Sequence, residues 1–164
     1  MIIVCNTSPI MNFAVVGQLD LLKRVYQKVF IPEAVFQELS AIRSSQLGDV
    51  VIQTVLWIEQ RSVANKSLVD SLRLELDLGE SEAIILAMEM KADFLILDER
   101  RGRNVASRFG LKYIGLLGIL VEAKRKGLID AVKPVLDDLM IKAGFWMGSP
   151  IYTRILQEVG ETGK

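Results

Sequence analysis

Apolar residues in this chain alternate between short unbroken runs and stretches where they recur every three or four positions. The runs predict strands at Ile2–Cys5, Lys28–Ile31, Leu56–Gln60, Phe94–Leu97 and Lys112–Ile114. The periodic stretches predict helices over Met11–Val16, Leu19–Tyr26, Pro32–Ser44, Asp49–Thr54 and Ser67–Leu76. Further helices follow: one opens on Glu80 and Glu82 and stops at a turn around Lys91, and the others cover Arg101–Phe109, Leu117–Lys126, Asp130–Ala143 and Ser149–Val159. Strands alternating with helices predict a parallel sheet covered on both faces. The 164 residues suit a single domain over 1–160, with 161–164 as a frayed tail.

Polar residues interrupt this pattern at particular places. Phe94–Leu97 stops abruptly at Asp98, and ligands of open α/β sheets collect beyond the carboxyl ends of strands. Asn6 ends the first strand, and Ser8 before Pro9 reads as a helix start, the serine capping free N–H groups. Glu38 lies on the apolar stripe marked by Val35, Leu39 and Ile42, where a carboxylate is unexpected. Glu80 and Glu82 lie roughly 200° apart on a helical wheel, so they do not both face one site; Glu82 is expected to face it, with Glu80 and Glu99 in support. If the first and fourth strands pair, their ends lie about 5 Å apart, and Asn6 and Asp98 share one edge. Glu38 and Glu82 beside them would repel by roughly 3 kcal/mol per close pair at an effective dielectric of ~20. Such a cluster calls for a cation, and all-oxygen donors select Mg²⁺ or Mn²⁺ over zinc.

Composition narrows the chemistry. The chain has no histidine, which removes histidine general bases, Ser-His-Asp and Cys-His arrangements and nearly every zinc site. A single cysteine, Cys5, supports no disulfide framework, and the cytoplasm is the expected compartment. The longest apolar run, Ala83–Met88, is far below the ~18 residues of a membrane span, and the N-terminus lacks the features of a signal peptide. Net charge is zero but unevenly spread. Glu75–Glu99 holds eight acids against one base, and Arg100–Lys126 holds eight bases against one acid. An acidic centre bordered by a basic band suits a metal site acting on a polyanion, with Arg100, Arg101 and Arg103 placed to hold it.

Asn6-Thr7-Ser8, Ile31-Pro32-Glu33 through Glu38-Leu39, Gly79-Glu80-Ser81-Glu82-Ala83 and Leu97-Asp98-Glu99-Arg100 resemble, in order and spacing, the PIN-domain ribonucleases. The resemblance is closest to a PIN-like subgroup of predicted nucleic-acid-binding proteins. Gly115-Leu116-Leu117-Gly118 and the turn Gly144-Phe145-Trp146 also look like that subgroup. The resemblance implies a three-layer α/β/α sandwich with parallel strand order 3-2-1-4-5. It also implies a Mg²⁺ or Mn²⁺ site formed by Glu38, Glu82 and Asp98 with position 6. Active PIN nucleases carry aspartate where this chain has Asn6, so the site loses one negative charge.

The expected function is metal-dependent hydrolysis of single-stranded RNA by a toxin of a toxin–antitoxin pair, with Ser8 and Asn6 orienting ligands or water. Expected partners are RNA, an antitoxin protein and a second copy of the chain. The alternative is a PIN-like RNA-binding or partner-binding module whose hydrolysis is weakened by Asn6. A mononucleotide-binding protein is disfavoured, because no G-x-x-x-x-G-K-[ST] loop is present.

Overall fold

The computed structural model describes residues 1–42 and 56–161. Five strands form one parallel sheet: β1 (Ile3–Cys5), β2 (Val29–Pro32), β3 (Ile58–Arg61), β4 (Phe94–Ile96) and β5 (Tyr113–Ile114). Their order is β3-β2-β1-β4-β5, the expected 3-2-1-4-5. Among the described residues the helices are α1 (Thr7–Val15), α2 (Leu19–Tyr26), α3 (Glu33–Ala41), α4 (Lys66–Leu72), α5 (Leu78–Met90), α6 (Arg100–Arg108), α7 (Leu116–Arg125), α8 (Lys133–Lys142) and α9 (Ser149–Glu158). The helix expected at Asp49–Thr54, the far end of the one expected to reach Ser44, and the tail beyond 161 lie outside the described residues.

The central strands are short and buried on both faces, β1 throughout, whereas the edge strands β3 and β5 are partly exposed. Period-two alternation sorts them. Ile3, Cys5 and Ile96 pack into one apolar layer with α1, α2, α3, α7, α8 and α9. Val4, Leu95 and Leu97 face the opposite layer, formed by α4, α5 and α6. Cys5 is a core residue, and burial, then the neighbouring Asp98 charge, pushes its thiol well above the usual range. Ser81 to Ala87 is buried without interruption, so α5 is enclosed on all sides rather than laid on a surface.

Several boundaries differ from the sequence reading, each for a local reason. The first helix begins at Thr7, with Asn6 as the capping residue and no side-chain cap bond. Ser8 is therefore not a cap but a first-turn residue. Pro9 is tolerated two residues further in, because the first four N–H groups of a helix have no partner within it. α5 is capped by Asp77, whose Oδ1 accepts from Glu80 N at 2.8 Å. The Ser67–Leu76 helix ends at Leu72. Glu161, expected in the frayed tail, is anchored: its carboxylate accepts from Val132 N at 2.7 Å and Lys133 N at 3.0 Å, and pairs with Lys124 at 3.0 Å. A carboxylate at the N-terminal end of α8 satisfies free amides and favours the helix dipole.

Leu95 is fully buried at the centre of β4. Leu95→Ala is expected to cost about 2–5 kcal/mol, read as a lower urea midpoint at unchanged m-value; a shift below about 1 kcal/mol would show that this strand is not where the core is tightest.

Candidate functional site

Parallel pairing of β1 with β4 builds the edge on which the candidate residues meet. Ile3, Val4 and Cys5 stand opposite Phe94, Leu95 and Ile96, and Asn6 N donates to Ile96 O at 3.1 Å. Asn6, one residue past β1, and Asp98, two past β4, therefore leave the sheet on the same side. Asn6 is buried at 5% exposure.

Asp98 is held asymmetrically. Its Oδ1 accepts from Leu116 N at the start of α7, at 3.0 Å, and from Arg103 Nη2 at 3.4 Å. Its Oδ2 is buried and has no hydrogen-bond partner among the described residues. Burial raises the Asp98 carboxyl above its ordinary range, against the lowering pull of the Leu116 amide and the Arg103 guanidinium. Arg103 is locked in turn by its Nε, which donates to Leu97 O at 2.8 Å. Gly115 makes this arrangement possible. Its backbone is extended, at φ −102° and ψ −177°, which any residue adopts; the requirement is space, since a Cβ here would collide with Arg103 Nη2 and Asp98 Oδ1.

The acids of α5 and α3 are held in different ways. Glu82 Oε1 accepts from Ala34 N in the first turn of α3 at 3.0 Å. The carboxylate thus fastens α3 to α5 one turn before Glu38. Glu38 is exposed, takes the Thr7 hydroxyl on Oε2, and packs against Gly79, where a Cβ would displace it. Glu80, expected only in support, is the uncompensated acid. Burial, the Asp77 side chain and the charges of Asp77, Glu99 and Glu38 push its carboxyl up from 4.5 to about 8. Glu99 itself is exposed. The Glu82 bond is a contact no helical wheel contains, since the N-terminus of α3 meets its carboxylate there.

The basic residues also separate. Arg103 is committed to Asp98 and Leu97, so it belongs to the site and not to a free basic band. Arg101 Nη1 donates to Glu75 O at 3.2 Å. Arg100 is exposed. Thr7, Asp77, Gly79 and Gly115 were not singled out by sequence as parts of the site. Asp77 had a signal, an acid three residues before Glu80 at a helix start, which is a capping pattern. The glycines had only their places in the family-like motifs, because their role is to leave room for side chains remote in sequence.

These donors fit a hard divalent cation in kind: all are oxygens, and Asp98 Oδ2 is a buried anion oxygen with nothing to accept from. They are not gathered into a closed set, since no group of three or more acidic, cysteine or histidine side chains among the described residues is arranged to hold a metal ion. The expected convergence of Glu38, Glu82 and Asp98 on one point is therefore not present.

Two outcomes follow. Gly115→Ala should expel Arg103 from Asp98 and cost about 1–3 kcal/mol through overpacking; NMR should show the Arg103 Nε–H losing its protection, and an unchanged resonance would contradict the packing. Because the folded Glu80 binds its proton more tightly than the unfolded chain, stability in chelator should fall as pH rises from 4.5 to about 8 and level off above. Glu80→Gln should flatten that window in urea titrations, and identical slopes would remove Glu80 as its source.

A protein-family model described as a PIN domain matches residues 2–161. No curated protein matches the chain. The match covers the sheet, both helical layers and every candidate residue, and with the 3-2-1-4-5 parallel order it shows that the chain belongs to the PIN-domain family, a nuclease-type fold.

Proposed function

We propose that this protein is a metal-dependent endoribonuclease that hydrolyses phosphodiesters of single-stranded RNA, acting in the cytoplasm as the toxin of a toxin–antitoxin pair. The observation that carries the proposal is the Asp98 carboxylate, pinned through Oδ1 and left open through buried Oδ2, beside Asn6 at the carboxyl edge of the sheet. PIN domains generally use divalent metals, and the oxygen donors here suit Mg²⁺ or Mn²⁺. Glu38, Glu82 and Asp98, with the Asn6 amide, are the residues that would hold it, and Glu80 would support them. When bound, such a cation supplies an activated water and neutralises charge developing on the phosphodiester.

The chain's own residues have separable tasks. Arg103 and the Leu116 amide fix one Asp98 oxygen, leaving the other for a ligand. Glu82 fastens the start of α3 and thereby sets the position of Glu38, which Thr7 orients further. Glu80, its carboxyl pushed up to about 8 by burial and the acids around it, would ionise where a bound cation compensated its charge. Ser8, in the first turn of α1 next to Asn6, orients water or ligand, and Glu99 adds to the local negative potential. Arg100 and Arg101 hold the RNA backbone, a contribution that weakens with salt. An antitoxin protein and a homodimer complete the proposal, with Ile141, 80% exposed on α8, as an apolar contact for a second copy. No helix among the described residues is long and apolar enough to cross a membrane.

A second reading has its own support: Asn6 stands where active PIN nucleases carry aspartate, and the acids are not converged. In that reading the protein binds RNA or a partner without efficient hydrolysis.

Cleavage of labelled single-stranded RNA in Mg²⁺ or Mn²⁺ separates the two. Asp98→Ala should lower the rate at least about hundredfold, and Asn6→Asp should raise it by restoring the missing charge. Equal background cleavage in all three proteins overturns the enzyme, and metal-independent RNA binding with cleavage only in Asn6→Asp establishes the binding module.

A further inference from the structure

A cavity of about 460 Å³, in the size range of small-molecule sites, opens directly beside Asp98. Its walls are Asp98, Arg103, Tyr113, Phe145, Trp146 and Ile151. Three chain segments build it: the end of β4 with α6, β5 with the start of α7, and the aromatic turn between α8 and α9 with the start of α9. Trp146 is 84% exposed and Tyr113 39% exposed, so neither ring is needed to complete the core. The Arg103 guanidinium lies 5.2 Å from the Tyr113 ring centroid, a cation–π contact that braces the ring. The cation that braces Tyr113 is thus the one that holds Asp98.

We infer that this cavity is the subsite for an unpaired nucleobase of the RNA, the base flanking the phosphodiester at Asp98, and that Trp146 and Tyr113 provide its stacking surfaces. The inference rests on the ribonuclease reading and extends it to the element that positions the substrate. A nucleobase has a π-face for the aromatic walls and a polar edge for the charged Asp98–Arg103 floor. A purely apolar protein side chain would cover the rings but leave that ion pair facing hydrocarbon, which costs free energy. Stacking on aromatic side chains is how single strands are held without a sequence code, because every base presents a π-face. The turn Gly144–Gly148 therefore has a function in substrate placement, independent of the acids.

The test uses the full-length protein in chelator, so that binding is read without cleavage. Fluorescence anisotropy with labelled octaribonucleotides, oligo(U) and oligo(A), should show Trp146→Ala binding roughly ten- to hundredfold more weakly than wild type and Trp146→Phe within a few-fold. Tyr113→Ala should weaken binding in the same direction. The salt dependence should keep its slope in Trp146→Ala, because phosphate contacts are untouched, and an abasic oligomer should bind wild type and Trp146→Ala equally. Trp146 is exposed, so its replacement should leave the thermal midpoint in place. If wild type binds RNA and Trp146→Ala binds it as tightly, the subsite is overturned while the ribonuclease reading stands. If no variant binds RNA, the ribonuclease reading itself fails. If Trp146→Ala alters the sedimentation coefficient of the RNA-free protein and leaves RNA affinity unchanged, the cavity receives a second copy of the chain and the inference is overturned.

Discussion

The pairing of Ile3–Cys5 with Phe94–Ile96 is the contact on which everything else in the molecule is arranged. A parallel pair at the centre of a sheet is buried on both faces, so each strand must offer apolar side chains in both directions and helices must close both sides. That requirement produces the three layers and sends β1 and β4 out of the sheet at one edge. Asn6 and Asp98 become neighbours because of register, although 91 residues separate them in sequence. Topology also gives the edge its character: chain leaving β1 and β4 turns directly into α1 and α6, whose unpaired amides favour negative charge.

Burying carboxylates at that edge imposes the second constraint, and the protein meets it unevenly. Glu82 is compensated by an amide of α3, and Asp98 is compensated on one oxygen by the Leu116 amide and Arg103. Glu80 faces three other acids and is pushed up to about 8. A fold selected only for stability would place a neutral residue there, since an uncompensated buried acid costs free energy whenever it ionises. Carboxyls perturbed in this way are a mark of functional sites. Among the described residues the acids whose carboxyls are raised are Glu80 and Asp98.

Glycine at positions 79, 102 and 115 has the same purpose at all three, and it is not conformational. Each gives up a side chain so that a remote one can occupy the space: Glu38 against Gly79, Glu80 and Leu97 against Gly102, Arg103 and Asp98 against Gly115. The carboxylates and the guanidinium are thus seated against backbone, which restricts their rotamers and pre-organises the edge. Arg103 links this edge to the aromatic cavity, because the one side chain contacts Asp98, Leu97 and Tyr113.

Much of this was legible in the chain itself, and the legible part has a common cause. Alternation and helical spacing are local, so the strands, most helices and the suspicion of Asp98, Asn6 and Glu38 could be read from neighbours a few positions apart, whereas the strand order came only from the resemblance to PIN domains. The absence of histidine alone restricted the site to oxygen chemistry. The sequence could not rank Glu80 against Glu82, because the deciding contact is with the first turn of α3, 48 residues away. Nor could it show that Arg103 points inward, that Gly115 makes room for it, or that the turn at Phe145 and Trp146 meets Tyr113 around one cavity. Local pattern determines which elements form and which face each buries; the partner a charged or aromatic side chain finds is settled only when separate elements pack, since its free energy depends on burial and on groups that sequence distance does not encode.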